Sequence, residues 1–241
     1  MTEYGLQLYS LRDITDKDLE AGLRAASEIG YKAVEFAGFF GHPAEEVHSW
    51  LEKYHLCPIG THTGLQPLLD DFDGTVAYHK AIECYNLIIP GHDLSTREKL
   101  DAFIDQVNEL QPRLAAEGIT LMYHNHSHEF FPNKDGLLIH NELVRRTNLL
   151  FEIDTYWAFA AGQDPVQLVK RLKDRVRLIH LKDGAGGHEG RWLGKGSAPV
   201  ERVRRLALKL GLAMIVESEG LRPSGIEEAA GCFEYLKALE S

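Results

Sequence analysis

The sequence predicts a (β/α)8 barrel of the α/β class, and three observations carry the prediction. Eight short apolar runs alternate with longer amphipathic stretches through the 241 residues. That length is close to the roughly 250 residues typical of such a barrel. The first run is followed by Tyr9-Ser10-Leu11-Arg12-Asp13 and lacks the glycine-rich turn that usually opens a doubly wound sheet, which favours closure.

The runs, in order, are Gly5 to Tyr9, Ala33 to Phe36, Pro58 to Thr61, Asn86 to Pro90, Ile119 to Tyr123, Leu149 to Ile153, Val176 to Leu181 and Ala213 to Val216. Each is of strand length and mostly apolar, as expected of a parallel strand covered on both faces. Helix signals lie between them. Leu19, Leu23, Ala26 and Ile29 share one helical face and stop at Gly30, a C-terminal glycine. Ser95-Thr96-Arg97-Glu98 offers an N-cap with a glutamate near the third helical position. Asp164-Pro165 sets a capping residue before a first-turn proline. Ser224-Gly225 precedes the last helix, which carries Phe233, Leu236 and Leu239. No composition break or low-complexity linker interrupts the pattern, so one domain is expected over residues 1–241. The polar, glycine-rich stretch from Asp183 to Ser197 reads as a mobile active-site flap.

The formal net charge of −10 argues against nucleic acid as a partner, since its binders concentrate positive charge. Three widely spaced cysteines, Cys57, Cys84 and Cys232, give neither a disulfide framework nor a zinc knuckle. Met1-Thr2-Glu3-Tyr4 shows no basic or apolar leader, and no apolar run is long enough to span a bilayer. A cytoplasmic protein without a membrane partner is expected.

Active sites of this architecture stand at the C-terminal ends of the strands. There the sequence places His62 after strand three and His124-Asn125-His126-Ser127-His128-Glu129 after strand five. Asp154 follows strand six, His180, Lys182 and Asp183 end strand seven, and Glu217 and Glu219 end strand eight, with Glu35 on strand two. Singly these have ordinary explanations: Asp154 could cap a helix, His180 could be a hydrogen-bonded core residue, and His124 to His128 could be a solvated turn. Together, carboxylates and imidazoles at four consecutive strand ends suit one divalent ion, with Mn²⁺ preferred and Mg²⁺, Co²⁺ or Zn²⁺ as alternatives.

Several stretches resemble the sugar phosphate isomerase/epimerase family of xylose isomerase-like TIM barrels. They are Gly5 to Asp13, Tyr123-His124-Asn125-His126 with Glu129-Phe130, Phe151 to Thr155, Ile179 to Asp183, and Val216 to Glu219. The resemblance implies a metal held by Glu129, Asp154, His180 and Glu217. Relatives place the first glutamate directly at the end of strand five, where this chain has His124. Glu129 is preferred as a second carboxylate, with His124 or His126 as alternatives. It further implies a small sugar or keto-sugar substrate; members often form homo-oligomers, on which no feature of this sequence bears.

The implied activity is isomerisation or epimerisation through proton abstraction next to a carbonyl and an enediolate. The metal would polarise the carbonyl, and Glu129 and Glu217 would double as ligands and acid/base groups. His62, His124, His126 and Lys182 would orient substrate oxygens, with a salt bridge to Asp183 or Asp154 as the other role for Lys182. Arg191 and Trp192 in the flap could close over the sugar, and Trp157 could stack on it or support the site. The alternative activity is a lyase of the inosose dehydratase or 3-keto-glycoside type using the same enolate. A non-catalytic sugar-binding barrel is the third reading, which the presence of Asp154, His180 and Glu217 disfavours.

Overall fold

A computed structural model describes residues 3–187 and 189–240. Eight parallel strands close into a barrel in sequential order. They are Gly5–Gln7, Ala33–Phe36, Cys57–His62, Asn86–Ile89, Thr120–His124, Leu150–Asp154, Val176–Leu181 and Ala213–Val216, named here strands one to eight. The first pairs with the eighth through Gly5 opposite Ile215. The expected runs all become strands, with ends displaced by a few residues. Strand one stops at Gln7 because the Gln7 side chain accepts from the Tyr9 N–H and starts a 3-10 turn over Leu8–Leu11. Strand three runs on to His62, which brings that imidazole to the barrel mouth.

The expected helix caps form. Thr96 accepts from the Lys99 N–H, Asp164 from the Val166 and Gln167 N–H groups, and Ser224 from the Glu227 N–H. Gly30 ends the helix Leu19–Ile29 at φ 118°, and a Cβ there would lie 2.8 Å from the Phe233 ring. Glycine is needed at this point for both its backbone and its bulk. No described helix is long and apolar enough to cross a membrane.

Among the described residues, the buried apolar side chains form two cores. The larger lies between strands and helices, and a smaller one of Ile88, Met122, Leu178 and Ile215 plugs the barrel interior. Side chains two apart along a strand face the same way. The plug residues Met122, Leu178 and Ile215 are therefore followed, two positions on, by His124, His180 and Glu217. Leu150, packed on the plug, is followed likewise by Glu152 and then Asp154. The apolar floor and the polar mouth are successive layers of the same strands.

The stretch expected as a mobile flap is instead tied to the barrel, with His188 lying outside the described residues. The buried Asp183 carboxylate accepts from the backbone N–H groups of Gly184, Gly194, Gly196 and Ala198, at 2.8–3.0 Å. Asp183–Gly184 also pairs antiparallel with Gly190–Arg191. Removing one buried acceptor strands several donors, each worth roughly 1–3 kcal/mol when fully buried. Because part of this loop is exposed, Asp183→Ala is expected to lower stability by about 2 kcal/mol. The urea midpoint should fall and the first proteolytic cuts should lie between Asp183 and Ser197; an unchanged midpoint and cleavage map would show that the clamp is dispensable.

Candidate metal centre and active site

Strands five to eight bring together His124, Asp154, His180 and Glu217, all buried, with one potential ligand atom from each within 4.8 Å of the others. His124 Nε2 lies 3.7 Å from Asp154 Oδ2, and His180 Nδ1 lies 3.3 Å from Glu217 Oε2 and 4.0 Å from Asp154 Oδ2. Ligands bonded at about 2.1 Å in a tetrahedral site stand roughly 3.4 Å apart, so the spacing suits one ion. The hydrogen bonding supports the same reading. Asp154 Oδ2 and both ring nitrogens of His124 are buried without a hydrogen-bond partner, a costly arrangement unless another group satisfies them.

Asp154 caps the next helix, as expected, and still offers one oxygen to the cluster. Its Oδ1 accepts from the Trp157 N–H at 2.8 Å and caps the next helix, which leaves Oδ2 turned to the cluster. Asn125 clamps strand six beside strand five, donating to the Asp154 carbonyl and accepting from its N–H. His180 is held from the far side: Nε2 meets Glu152 Oε2 at 3.2 Å and Glu35 Oε2 at 3.3 Å. A carboxylate on the second nitrogen is the usual support of a metal-binding imidazole.

Glu129 is not brought to this cluster. It sits on the 3-10 turn His128–Phe130, where Tyr123 Oη and the His126 N–H donate to its two oxygens at 2.9 Å, and it gathers with His126 and His128 instead. The fourth place is taken by His124, because strand five points its last residue into the barrel while the chain then turns away. Lys182 takes the second of its two expected roles, the salt bridge to Asp154. Its buried ammonium contacts Glu219 Oε2 at 2.7 Å, Glu217 Oε2 at 3.1 Å and Asp154 Oδ2 at 3.9 Å, and lies over the Trp157 ring. It is committed to those carboxylates, not to the cavity, and Trp157 supports it from below.

The cavity above the cluster measures about 290 Å³ and is lined by Tyr9, Ala37, His62, Pro90, His124, His126, Glu217 and Glu219. Arg191 and Trp192 line a different cleft with Lys195 and Arg222. Glu35, which by sequence could either hold the mouth together by hydrogen bonding or touch substrate, does the former, whereas Glu152 was given no site role by sequence. Gln7 Nε2 donates to Glu35 at 2.7 Å, and His62 Nε2 lies 2.5 Å from Glu35 Oε1 and 2.8 Å from Glu152 Oε2. The alternation Leu150-Phe151-Glu152-Ile153-Asp154 was the available signal, since it puts Glu152 on the same face as Asp154.

These contacts set the charges. Burial works to lower the His62 pKa, yet Glu35 and Glu152 outweigh it and raise it to about 10. Burial likewise opposes the charged form of His180, whose pKa is raised well above the ordinary value by Glu152 and Glu35. Burial keeps His124 neutral, with a pKa well below the ordinary value, and lowers His126 to about 3. Burial would raise Glu217, but Lys182 and His180 hold it well below the usual carboxylate range. Glu219 and Asp154 are both raised, chiefly by burial.

A family model described as the xylose isomerase-like TIM barrel matches residues 23–237. The chain belongs to that family. A sugar phosphate isomerase/epimerase from Parabacteroides distasonis is 25% identical, with a TM-score of 0.85 and 98% of each chain covered. The IOLI protein with a bound zinc atom shares the fold at 12% identity and a TM-score of 0.76, over 99% of this chain and 98% of that one. An inosose dehydratase from Geobacillus thermodenitrificans is 28% identical over 90 residues, which is 36% of this chain; the match spans only 30% of that relative's length.

The charge state of His62 predicts a pH effect. A group whose folded pKa is raised from 6.5 to about 10 stabilises fully below the lower value and loses that contribution as pH rises through the upper one. In chelator-treated protein, chemical unfolding is expected to show stability falling between neutral pH and pH ~10, less steeply in His62→Gln. Equal slopes in the two proteins would remove His62 from the charge network.

Proposed function

We propose that this barrel is a divalent-metal-dependent enzyme that removes a proton next to the carbonyl of a sugar or keto-sugar, as an isomerase or epimerase. The observation that carries the reading is the convergence of four buried ligand atoms beneath a cavity lined by ionisable groups, with two of the four side chains, His124 and Asp154, holding buried polar atoms that have no hydrogen-bond partner. Two imidazoles and two carboxylates form a donor set better suited to Zn²⁺, Co²⁺ or Mn²⁺ than to Mg²⁺. The fold's likeness to a zinc-bound protein is consistent with that choice. An ion held by His124, Asp154, His180 and Glu217 would polarise the substrate carbonyl and acidify the adjacent C–H.

The remaining groups have roles that follow from position and charge. Glu219 lines the cavity and its pKa is raised by burial, which makes it a stronger base than an ordinary carboxylate. It takes the carbon proton and can return it to the neighbouring carbon, as isomerisation requires; epimerisation requires a second proton donor on the opposite face of the substrate. Lys182, bonded to Glu217 and Glu219 together, fixes the base relative to the ligand. His62, cationic between Glu35 and Glu152, presents a proton donor to a substrate oxygen, and neutral His126 accepts from a hydroxyl. Glu129, bonded to Tyr123 and to the His126 backbone, shapes the strand-five turn and has no part in proton transfer.

A lyase outcome shares the first step and differs in the second. The cationic His62 beside the cavity favours this second reading, because it could protonate a departing hydroxyl. The local similarity to an inosose dehydratase points the same way.

Metal-loaded protein, incubated in deuterated water with ketoses, an inosose and a 3-keto-glycoside, is expected to place deuterium at the carbon beside the carbonyl. Mass retained identifies an isomerase, and loss of water or aglycone identifies a lyase. Glu219→Gln should lower exchange by about 10²- to 10⁴-fold with metal content intact. No exchange with any compound in fully metallated protein would overturn the reading. For metal affinity, His124→Ala and Glu217→Gln should each cost at least about tenfold, and Glu129→Gln less than twofold, as measured by competition with a chromogenic chelator. The reverse order would return Glu129 to the ligand set.

A further inference from the structure

A second cavity of about 400 Å³ opens beside the reactive one, and His62 lines both. Its walls come from the loop after strand two, the end of strand three and the helix Phe72–Ala81. The character of the two spaces differs. The reactive cavity is walled by imidazoles and carboxylates, whereas the second is walled by Phe39, Pro67, Tyr78 and the glycines Gly64 and Gly74.

The aromatic wall is fixed in place. Phe39 packs on Phe36 and Tyr78 with ring centroids 5.1 Å and 4.4 Å apart, and Tyr78 Oη donates to the His42 carbonyl at 2.8 Å. Several polar atoms of the wall are already engaged within the protein, and Asp71, whose Oδ1 accepts from the Gly74 N–H at 2.9 Å, is an exposed carboxylate of the lining. His79 bonds the Thr75 carbonyl at 2.7 Å through Nδ1 and Thr61 Oγ1 at 2.8 Å through Nε2. Thr63 Oγ1 lies 3.1 Å from Thr61 Oγ1. What the cleft offers a ligand is therefore mainly apolar and aromatic surface, in a volume within the range of small-molecule sites. A bare sugar, hydroxylated on every side, would leave its hydroxyls unpaired there.

We propose that this cleft is a substituent subsite, so that the substrate is a sugar or keto-sugar carrying an apolar, ring-sized group that lies against Phe39 and Tyr78 while the sugar ring occupies the metal-side cavity. The assignment of the sugar ring rests on the function proposed above; the assignment of the cleft rests on its own walls. His62 stands at the junction and would contact the oxygen linking the two parts.

Gly64 gives a direct way to close the cleft. Its φ is −62°, ordinary for any residue, and a Cβ built there meets no atom within 4 Å. A larger residue should therefore fill the cleft without straining the fold. The test uses metal-loaded protein and ligand-observed NMR titration of phenyl β-D-glucopyranoside, methyl β-D-glucopyranoside and benzyl alcohol. Wild-type protein and Gly64→Ala should bind the phenyl glycoside on the order of tenfold more tightly than the methyl one. Both should also bind benzyl alcohol. Gly64→Leu should lose that preference and the benzyl alcohol signal, with metal content and thermal midpoint unchanged. Equal affinities in wild type, a preference that survives Gly64→Leu, or no benzyl alcohol binding would overturn the subsite. Benzyl alcohol binding that Gly64→Leu abolishes, with neither glycoside bound, would support the cleft as a site for apolar rings and count against the sugar reading alone.

Discussion

Four carboxylates, those of Glu35, Glu152, Asp154 and Glu217, are buried together at one end of the barrel, and everything else at the mouth answers to that constraint. An isolated buried carboxylate is expensive, and several side by side repel one another as well. The structure interleaves cations between them. His62 sits between Glu35 and Glu152, His180 bridges that pair to Glu217 and would give up its Nδ1 proton to hold an ion, and Lys182 joins Glu217 to Glu219 and Asp154. Even so, Asp154 Oδ2 and the ring nitrogens of His124 are left without hydrogen bonds. A divalent ion is the group whose charge and coordination would complete this balance.

The same network explains why His180 is central. One nitrogen faces the ligand cluster and the other is held by Glu35 and Glu152, which arrive from strands two and six. The ring's orientation is thus determined by residues on opposite sides of the barrel. Closure of the sheet, by bringing strands two and six across the same space, is what makes the site possible. With a histidine and not a glutamate at the end of strand five, the crowded cluster carries one negative charge fewer than a third carboxylate there would give it. The histidine also makes the donor set softer, toward ions that accept imidazole.

Much of this was legible in the sequence. The eight runs, the caps at Thr96, Asp164 and Ser224, and the convergence of Asp154, His180 and Glu217 all follow from strand periodicity and the rule that barrel sites lie at strand ends. What was not legible depended on a single turn or on contacts across the barrel. Whether Glu129 or His124 joins the cluster is decided by where strand five ends, and the 3-10 turn that diverts Glu129 to Tyr123 has no strong sequence signature. Glu152 looks like an isolated charge, and the partner of Glu35 is not evident, until the barrel closes and sets His62 between them. The Asp183 clamp was hidden because glycine-rich stretches read as mobile, although here the glycines supply N–H groups to one buried carboxylate.

The central claim is that one ion is held by His124, Asp154, His180 and Glu217. Anomalous diffraction from crystals of protein loaded with Mn²⁺ or Zn²⁺ tests it most directly. The account predicts a single strong peak about 2.0–2.3 Å from a ring nitrogen of His124, Asp154 Oδ2, His180 Nδ1 and a Glu217 carboxylate oxygen. A peak among His126, His128 and Glu129, or no peak at the strand ends in fully loaded protein, would contradict it.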